Sequence, residues 1–145
     1  MTRLRRRFGH SATAIVVLCL VCTSCSGKDD RKRVYPVTGQ VFYKARPTPK
    51  ALVVFHPLND SDGRAVRAYG YVGEDGRFTL TTYNAHDGAP AGSYRITVEW
   101  RLPNPQNEDE EGPNLLPTRF HSVATSGLRA EIREGPCELA PFRLE

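Results

Sequence analysis

Three cysteines near the N-terminus have the spacing of a metal-binding motif. Cys19, Cys22 and Cys25 follow the C-x2-C-x2-C pattern by which ferredoxins hold iron–sulfur clusters. A cluster needs a fourth thiolate at suitable spacing, but the remaining cysteine is the distant Cys137. The three also lie in or beside an apolar run that a metal site would have to expose. We therefore predict no metal site and no cofactor here, and expect Cys137 to be a small buried side chain without a disulfide partner.

Three histidines follow this segment without forming a catalytic or metal-binding pattern. His56, His86 and His121 lack the close pairing of metal-binding histidines and are expected in turns or at the surface. The G-x-S-x-G motif of α/β-hydrolases is absent, and Ser126 stands at the start of a strand pattern. We therefore predict no catalytic residue and no enzyme. A small hydrolase is the competing hypothesis, and it requires a nucleophile and a base brought together by the fold.

The stretch 101–117 is the candidate binding region. It contains four prolines and is predicted to be a long loop, the kind of segment that carries binding function on a rigid scaffold. Its carboxylates form one run: Glu108, Asp109, Glu110 and Glu111. Such a run is typical of a solvated loop, with weak calcium binding as the alternative. Trp100 immediately precedes the loop, and is either a core or rim residue or a platform for a sugar ring.

The positive charge of the chain is confined to its beginning. The 145 residues carry a formal charge of +4, and four arginines lie within the first seven residues. Without residues 1–24 the chain has sixteen basic and sixteen acidic side chains. A neutral domain lacks the electrostatic surface that binds phosphate backbones, so nucleic acid is excluded as a partner.

The first 24 residues have the layout of an export signal. A cationic start precedes the apolar run Ala12–Val21, which is too short to span a bilayer. The segment that follows, Cys22-Thr23-Ser24-Cys25, resembles the lipobox of bacterial lipoproteins, whose cysteine is lipidated and becomes the mature N-terminus. This predicts a signal peptide over 1–24, a lipid on Cys25, and the lipid bilayer as a partner. A conventionally cleaved signal with a free cysteine is the alternative.

The lipobox resemblance also implies a destination. Ser26 after the cysteine favours the outer membrane of a bacterial cell envelope over the inner membrane. The polar residues that follow the cysteine cannot bury apolar area, so 25–33 is predicted to be a flexible tether.

From Val34 onward apolar and polar residues alternate with a period of two, which predicts strands. The clearest example places Tyr94, Ile96, Val98 and Trp100 on one face. Gly39 is expected to mark a bulge. Glycine-rich turns separate about seven such patterns over residues 34–145. We therefore predict an all-β fold, an antiparallel seven-stranded β-sandwich of transthyretin or immunoglobulin type.

Three segments resemble the carboxypeptidase regulatory-like (transthyretin-like) domain. They are VTGQV at 37–41, EDGRFTL at 74–80 and DGAPAGSYRITV at 87–98. In this form the chain is similar to small lipoproteins abundant in planctomycete-type bacteria. Ala45 departs from the family, which has glycine in that turn.

The resemblance implies a non-catalytic domain with a structural or binding role at the cell surface, with an envelope protein or a glycan as partner. The alternative is a carbohydrate- or peptide-binding accessory module that uses Trp100 and the 101–117 loop.

Overall fold

The computed structural model describes residues 31–60 and 65–145, and this part of the chain is all-β. Within these ranges there is no α-helix, and the one helical turn is the 3-10 turn Thr118–His121. The strands, in chain order, are β1 (Val34–Tyr35), β2 (Val37–Tyr43), β3 (Arg46–Pro47), β4 (Leu52–Pro57), β5 (Ala68–Tyr71), β6 (Arg77–Thr79), β7 (Ala89–Pro90), β8 (Gly92–Glu99), β9 (Arg101–Asn104), β10 (Asn107–Asn114), β11 (Leu128–Ile132), β12 (Cys137–Glu138) and β13 (Phe142–Leu144).

One sheet has four antiparallel strands in the order β11-β8-β4-β5. The predicted alternation in β8 is confirmed, because Tyr94, Ile96 and Val98 are buried. The buried hydroxyl of Tyr94 donates a hydrogen bond to the carbonyl oxygen of Pro90 at 2.7 Å, and burial raises the pKa of Tyr94 to about 12. Strand β4 lies between β8 and β5, and its residues 52–55 are apolar on both faces.

A second sheet is built around β2, which is paired along both of its edges. On one edge β6 and then β3 run antiparallel to it, and on the other β12 and then β13 run parallel to it. Gly39 does not form a bulge, because it stays in register with Phe78. A Cβ at Gly39 would lie 2.5 Å from the tip of the Phe78 ring, so glycine here makes room for that ring.

Phe55 joins the two sheets through aromatic contacts. Its ring centroid lies 6.1 Å from that of Phe78 on β6, 5.8 Å from that of Tyr94 on β8 and 6.4 Å from that of Phe142 on β13. These separations suit edge-to-face and tilted aromatic packing. The inner faces of the sheets therefore share one apolar core, an arrangement consistent with a β-sandwich.

One prediction about the strands needs correction. The fold is not wholly antiparallel, because the chain leaves β11 in the first sheet and crosses to the second, where β12 and β13 enter beside β2 in the same direction. The count of seven strands is not confirmed either. Several of the thirteen strands in the described ranges have only two residues, which are too few to leave an alternating pattern in the sequence.

The predicted loop 101–117 is mostly a hairpin. Strands β9 and β10 pair antiparallel in a register that shifts twice. Their turn contains Pro105 and Gln106, and the Gln106 backbone N–H donates to Asn104 Oδ1 at 3.0 Å. The hairpin was missed because it has no apolar face: Arg101, Leu102 and the described side chains of most of β10 are exposed. Without burial there is no alternation to detect.

The departure at Ala45 has a visible conformational consequence. β2 and β3 are joined by the two residues Lys44 and Ala45, whose φ angles are +47° and +62°. A two-residue turn with both φ angles positive is the type that matches strand twist, and glycine or asparagine usually occupies it. The chain keeps the hairpin and accepts the strain of a side chain at both positions.

The backbone approach at Gly88 yields a stability prediction. A Cβ at Gly88 would lie 1.7 Å from the carbonyl oxygen of Tyr35, and its φ is +95°. We expect Gly88→Ala to reduce the free energy of unfolding by about 3 kcal/mol or more, since backbone atoms must move and the φ becomes strained. Urea denaturation, monitored by tryptophan fluorescence, measures this decrease in the free energy of unfolding.

Gly135→Ala is the matched control. Gly135 has a φ of +101° and nothing within 4 Å of an added Cβ, so this variant has the conformational strain without the clash. A loss of about 1 kcal/mol is expected. Equal losses in the two variants would contradict the argument.

Candidate binding site

The predicted lipidation site lies outside the described residues. Residues 1–24 and Cys25 are not among them, and neither are residues 26–30 of the predicted tether. The described residues of the predicted tether contact the domain. The Lys32 backbone N–H donates to the Tyr83 hydroxyl at 3.1 Å, and the Arg31 guanidinium lies 5.5 Å from the centroid of the Tyr83 ring. No helix within the described ranges is long and apolar enough to cross a bilayer.

Trp100 is fixed at the base of the β9–β10 hairpin. Its indole Nε1 donates to the carbonyl oxygen of Pro49 at 2.9 Å, and its backbone N–H donates to Asn114 Oδ1 at 3.1 Å. The ring is half-buried and packs against the core. Because the polar edge of the indole is already bonded within the chain, an arriving sugar would find only part of the ring accessible.

The acidic run lies on strand β10 and not in a loop. Glu108, Asp109, Glu110 and Glu111 all fall within Asn107–Asn114. Glu110 and Glu111 are exposed, and Glu111 lies 3.8 Å from Arg101, which is also 3.3 Å from Glu99. Across the described ranges, no three His, Cys, Asp or Glu side chains converge in a way that would hold a metal ion.

The fold separates the three histidines. His56 Nε2 lies 2.9 Å from the Thr97 hydroxyl on the neighbouring strand. Burial of its imidazole and the positive charge of Arg67 lower the pKa of His56 below its ordinary value of 6.5, so the ring is neutral at pH 7. His86 lies in a turn and His121 in the 3-10 turn. Among the described residues, no hydrogen bond joins a histidine to a serine or a cysteine. Cys137 is half-buried with a free thiol.

A concave site among the described residues lies at the junction of the two sheets, and we call it the tyrosine cleft. It has a volume of about 260 Å³ and lies between β5 of one sheet and β6 of the other. Tyr69 and Tyr71 form its aromatic wall, with ring centroids 6.2 Å apart and planes at 83°. Tyr71 is 64% exposed, the largest exposure of any large apolar side chain in the described ranges. His86 and Arg77 complete the polar side of the cleft.

Backbone pairing holds the two walls of the cleft together. The Tyr69 and Thr81 backbones exchange hydrogen bonds of 2.9 and 2.7 Å, while Gly73 N–H donates to the Arg77 carbonyl oxygen at 2.7 Å. The Gly76 N–H also donates to the carbonyl oxygen of Gly73 at 3.0 Å, so a tight turn closes one end of the paired walls and the Tyr69–Thr81 pair closes the other. Between these ends β6 turns away to pair with β2, and the space that it leaves is the cleft.

Asp87 positions His86 at the edge of the tyrosine cleft. Its carboxylate accepts hydrogen bonds from the backbone N–H groups of Thr82, Tyr83 and Asn84, at 2.7, 3.0 and 2.8 Å. Within this turn His86 has a φ of +60°, and its backbone N–H donates to Thr81 Oγ1 at 2.9 Å. The carboxylate therefore determines the conformation of the loop that carries the imidazole.

The tyrosine cleft was not predicted from the sequence, although part of its signal was present. Ala68, Gly70 and Val72 alternate with Tyr69 and Tyr71, so two aromatic rings on the outer face could be expected. The opposite wall of the cleft could not be predicted, because the sequence does not show that β6 separates from β5 and pairs with β2. The site offers aromatic faces, an imidazole and a guanidinium, which are groups for binding polar ligands with apolar surfaces.

The turn around Asp87 yields a pH prediction. Partial burial favours the neutral acid, but the N–H groups of Thr82, Asn84 and Tyr83 outweigh it and lower the pKa of Asp87 below its ordinary 3.8. The carboxylate thus stabilises the fold above the unfolded pKa, and this contribution is lost as pH falls through the lower folded pKa. We expect Asp87→Asn to reduce the free energy of unfolding by about 1–2 kcal/mol at pH 7.

Urea denaturation at pH 7 and at decreasing pH tests this expectation. The difference between the parent protein and Asp87→Asn should shrink below about pH 4, as the parent carboxylate is protonated. Asp75→Asn is the control, because Asp75 accepts one backbone hydrogen bond, from Arg77 at 3.0 Å, and should show a smaller difference. A difference that grows in acid would refute the role given to the carboxylate.

Comparison with known proteins does not assign a family. No protein-family model matches the chain, and no curated protein matches it. Among solved structures, the chain is similar to a 9R-lipoxygenase from Cyanothece PCC8801, with a TM-score of 0.38 and 12% sequence identity. The match covers 77% of this chain, which spans 16% of the lipoxygenase. A likeness this weak carries no argument about function.

Proposed function

We propose that the protein is a cell-envelope lipoprotein, held at a bilayer through Cys25, whose non-catalytic domain has a structural or binding role at the cell surface. The observation that carries the proposal is the N-terminal pattern: a cationic start, a short apolar run and a cysteine after small residues. We propose further that the domain is a seven-stranded sandwich of the carboxypeptidase regulatory-like type. The all-β character of the described residues supports that assignment, as do the three sequence segments that resemble the family.

The distance between the lipid and the domain would be short. If the lipid is on Cys25, only residues 26–30 separate it from Arg31 and Lys32, which contact Tyr83. Five extended residues reach at most about 18 Å. The domain would therefore stay next to the membrane surface, and an export signal of 24 residues would account for the positive charge of the whole chain. We propose that the protein lies in a bacterial cell envelope. Ser26, which follows the lipidated cysteine, favours sorting of the lipoprotein to the outer membrane.

A non-catalytic role is favoured by the positions of the candidate nucleophiles. Neither Ser126 nor the free thiol of Cys137 is bonded to a histidine among the described residues, and the pKa of His56 is lowered by burial and by Arg67. A neutral imidazole bonded to Thr97 acts as a structural partner across two strands. The hydrolase hypothesis needs a paired nucleophile and base, so binding is the better-supported class.

Replacement of Cys25 tests the anchor. We expect Cys25→Ser to abolish incorporation of labelled fatty acid and to shift the protein from the membrane fraction to the soluble fraction of cells, because serine cannot carry the thioether-linked lipid. Fractionation with immunodetection measures the shift. Cys137→Ser, which replaces the free thiol in the domain, should stay in the membrane fraction. Continued membrane association of Cys25→Ser would contradict the proposal.

The tyrosine cleft supports a second candidate, a carbohydrate- or peptide-binding accessory module. The sequence assigned that role to Trp100 and the 101–117 loop. The indole donor of Trp100 is bonded to Pro49, whereas Tyr71 is 64% exposed beside a cleft of about 260 Å³. These contrasts favour the cleft as the binding surface. Peptidoglycan is a suitable probe, since it presents both sugar rings and peptide stems.

Truncation of Tyr71 tests the binding module. We expect Tyr71→Ala to weaken sedimentation with insoluble peptidoglycan by about fivefold or more, as removal of an aromatic anchor does in binding sites. Trp100→Phe is the comparison, and it should bind as the parent protein does because the cleft is intact. If only Trp100→Phe loses binding, the peptidoglycan-binding surface lies at Trp100 and the β9–β10 hairpin. If Tyr71→Ala binds as the parent protein does, the tyrosine cleft is not the binding surface.

A further inference from the structure

Two arginines lie directly opposite each other on the outer face of the four-stranded sheet. Arg129 of β11 is in register with Arg95 of β8, and Arg95 is in register with His56 of β4. Side chains directly opposite in an antiparallel pair have Cβ atoms about 5 Å apart, so the two side chains start from adjacent positions. The neighbouring His56 supplies no negative charge, because an imidazole is either neutral or cationic.

The charges of this pair are not neutralised within the described residues. The ion pairs found there involve Arg77, Arg101 and Arg133, and neither Arg95 nor Arg129 takes part in one. Glu131, two positions along β11, lies 4.0 Å from Arg133 instead. Like charges directly opposite on a sheet destabilise it, so this placement has a cost that the fold itself does not offset.

A small cavity lies against the two arginines. It has a volume of about 90 Å³, and Arg95, Arg129, Ser126 and Gly127 are among its lining residues. One end of Arg95 is held in place, because its Nη1 donates to the carbonyl oxygen of Val123 at 3.3 Å. The cavity is about three times the roughly 30 Å³ that one water molecule takes in the liquid, so it can hold a small polyatomic ion.

Ser126 contributes a buried hydroxyl without a partner. The residue is only 6% exposed, and its Oγ has no hydrogen-bond partner within the described chain. A buried hydroxyl left unbonded is destabilising, and native proteins rarely keep one unless something else satisfies it. Ser126 lines the same cavity as the arginines, so an anion there would lie beside two charged donors and the residue that carries the unbonded hydroxyl.

We propose that Arg95, Arg129 and Ser126 form a binding site for a tetrahedral oxyanion, a phosphate or sulfate group. Guanidinium groups bind such anions with strong, charge-assisted hydrogen bonds. Bound there, the anion offsets the repulsion between the arginines and accepts the hydrogen bond of Ser126. One ligand thus accounts for the opposed charges, the unbonded hydroxyl and the cavity. The site shares no lining residue with the tyrosine cleft and does not depend on the function proposed above.

Titration of the purified full chain in detergent with inorganic phosphate tests the site. Calorimetry and thermal unfolding are measured at constant ionic strength, with chloride replaced by phosphate, so that general screening is unchanged. We expect saturable binding and a rise in the unfolding temperature for the parent protein. Arg95→Gln and Arg129→Gln should weaken binding about tenfold or more, and Ser126→Ala by a smaller factor.

The variants carry a second signature that a structural role would not produce. Without phosphate, Arg129→Gln and Ser126→Ala should unfold at the same temperature as the parent protein or higher, since the first removes a repulsion and the second an unsatisfied hydroxyl. Arg133→Gln is the matched control: it removes the same charge from the residue just beyond β11 and should bind phosphate as the parent does. Equal loss of binding in Arg133→Gln would show general electrostatic attraction and overturn the proposal.

Two further probes identify the ligand. Glycerol 3-phosphate carries the same group on a larger molecule. Its binding would support a site for phosphate esters, whereas binding of inorganic phosphate or sulfate alone would support a site for the free ion. Acetate presents a planar carboxylate, and binding as tight as that of phosphate would contradict a tetrahedral site. Absence of saturable binding by phosphate and sulfate to the parent protein would overturn the proposal outright.

Discussion

The contact between Phe55 and the aromatic rings of the second sheet is the interaction on which the rest of this structure depends. Phe55 is fully buried on the central strand of one sheet, and it meets Phe78 and Phe142, which lie on opposite sides of β2 in the other. Phe78 reaches this position only because Gly39 has no side chain. Truncation of a buried phenylalanine costs about 3–5 kcal/mol in general, a large part of a small domain's stability.

The same core explains why binding surfaces arise where they do. With the inner faces committed to aromatic packing, polar and aromatic side chains of the alternate positions face outward, at Tyr69, Tyr71 and Arg95. The tyrosine cleft opens where β6 leaves its hairpin to place Phe78 in the core. The cavity beside Arg95 forms where the chain returns from the 3-10 turn to β11. The tyrosine cleft and the cavity beside Arg95 therefore both result from the way the chain connects the two sheets.

The sequence predicted the buried half of this protein better than its exposed half. Alternation located Tyr94, Ile96 and Val98, because burial of every second residue leaves a period of two. It missed the β9–β10 hairpin, whose described side chains are mostly solvated, and it gave no means to recognise that β12 and β13 run parallel to β2. The same alternation put Trp100 on the face of Tyr94 but left open whether it packs against the core or serves as a platform, and the structure shows it half-buried against the core. The opposed arginines and the cleft depend on register between distant strands, which no local pattern contains.

The pairing of β13 with β2 has a consequence for how the chain folds. Phe142 lies opposite Val41, about 100 residues earlier, so the first long strand completes its second edge only when the final residues arrive. Contacts between such distant parts of a chain make folding slow, because the loop between them must be closed first. A chain in which β12 and β13 have not yet been added would leave that edge of β2 open. Late closure of this edge would keep the domain incompletely folded until β13 reaches β2, which under the proposed export route would delay folding until the chain has crossed the membrane.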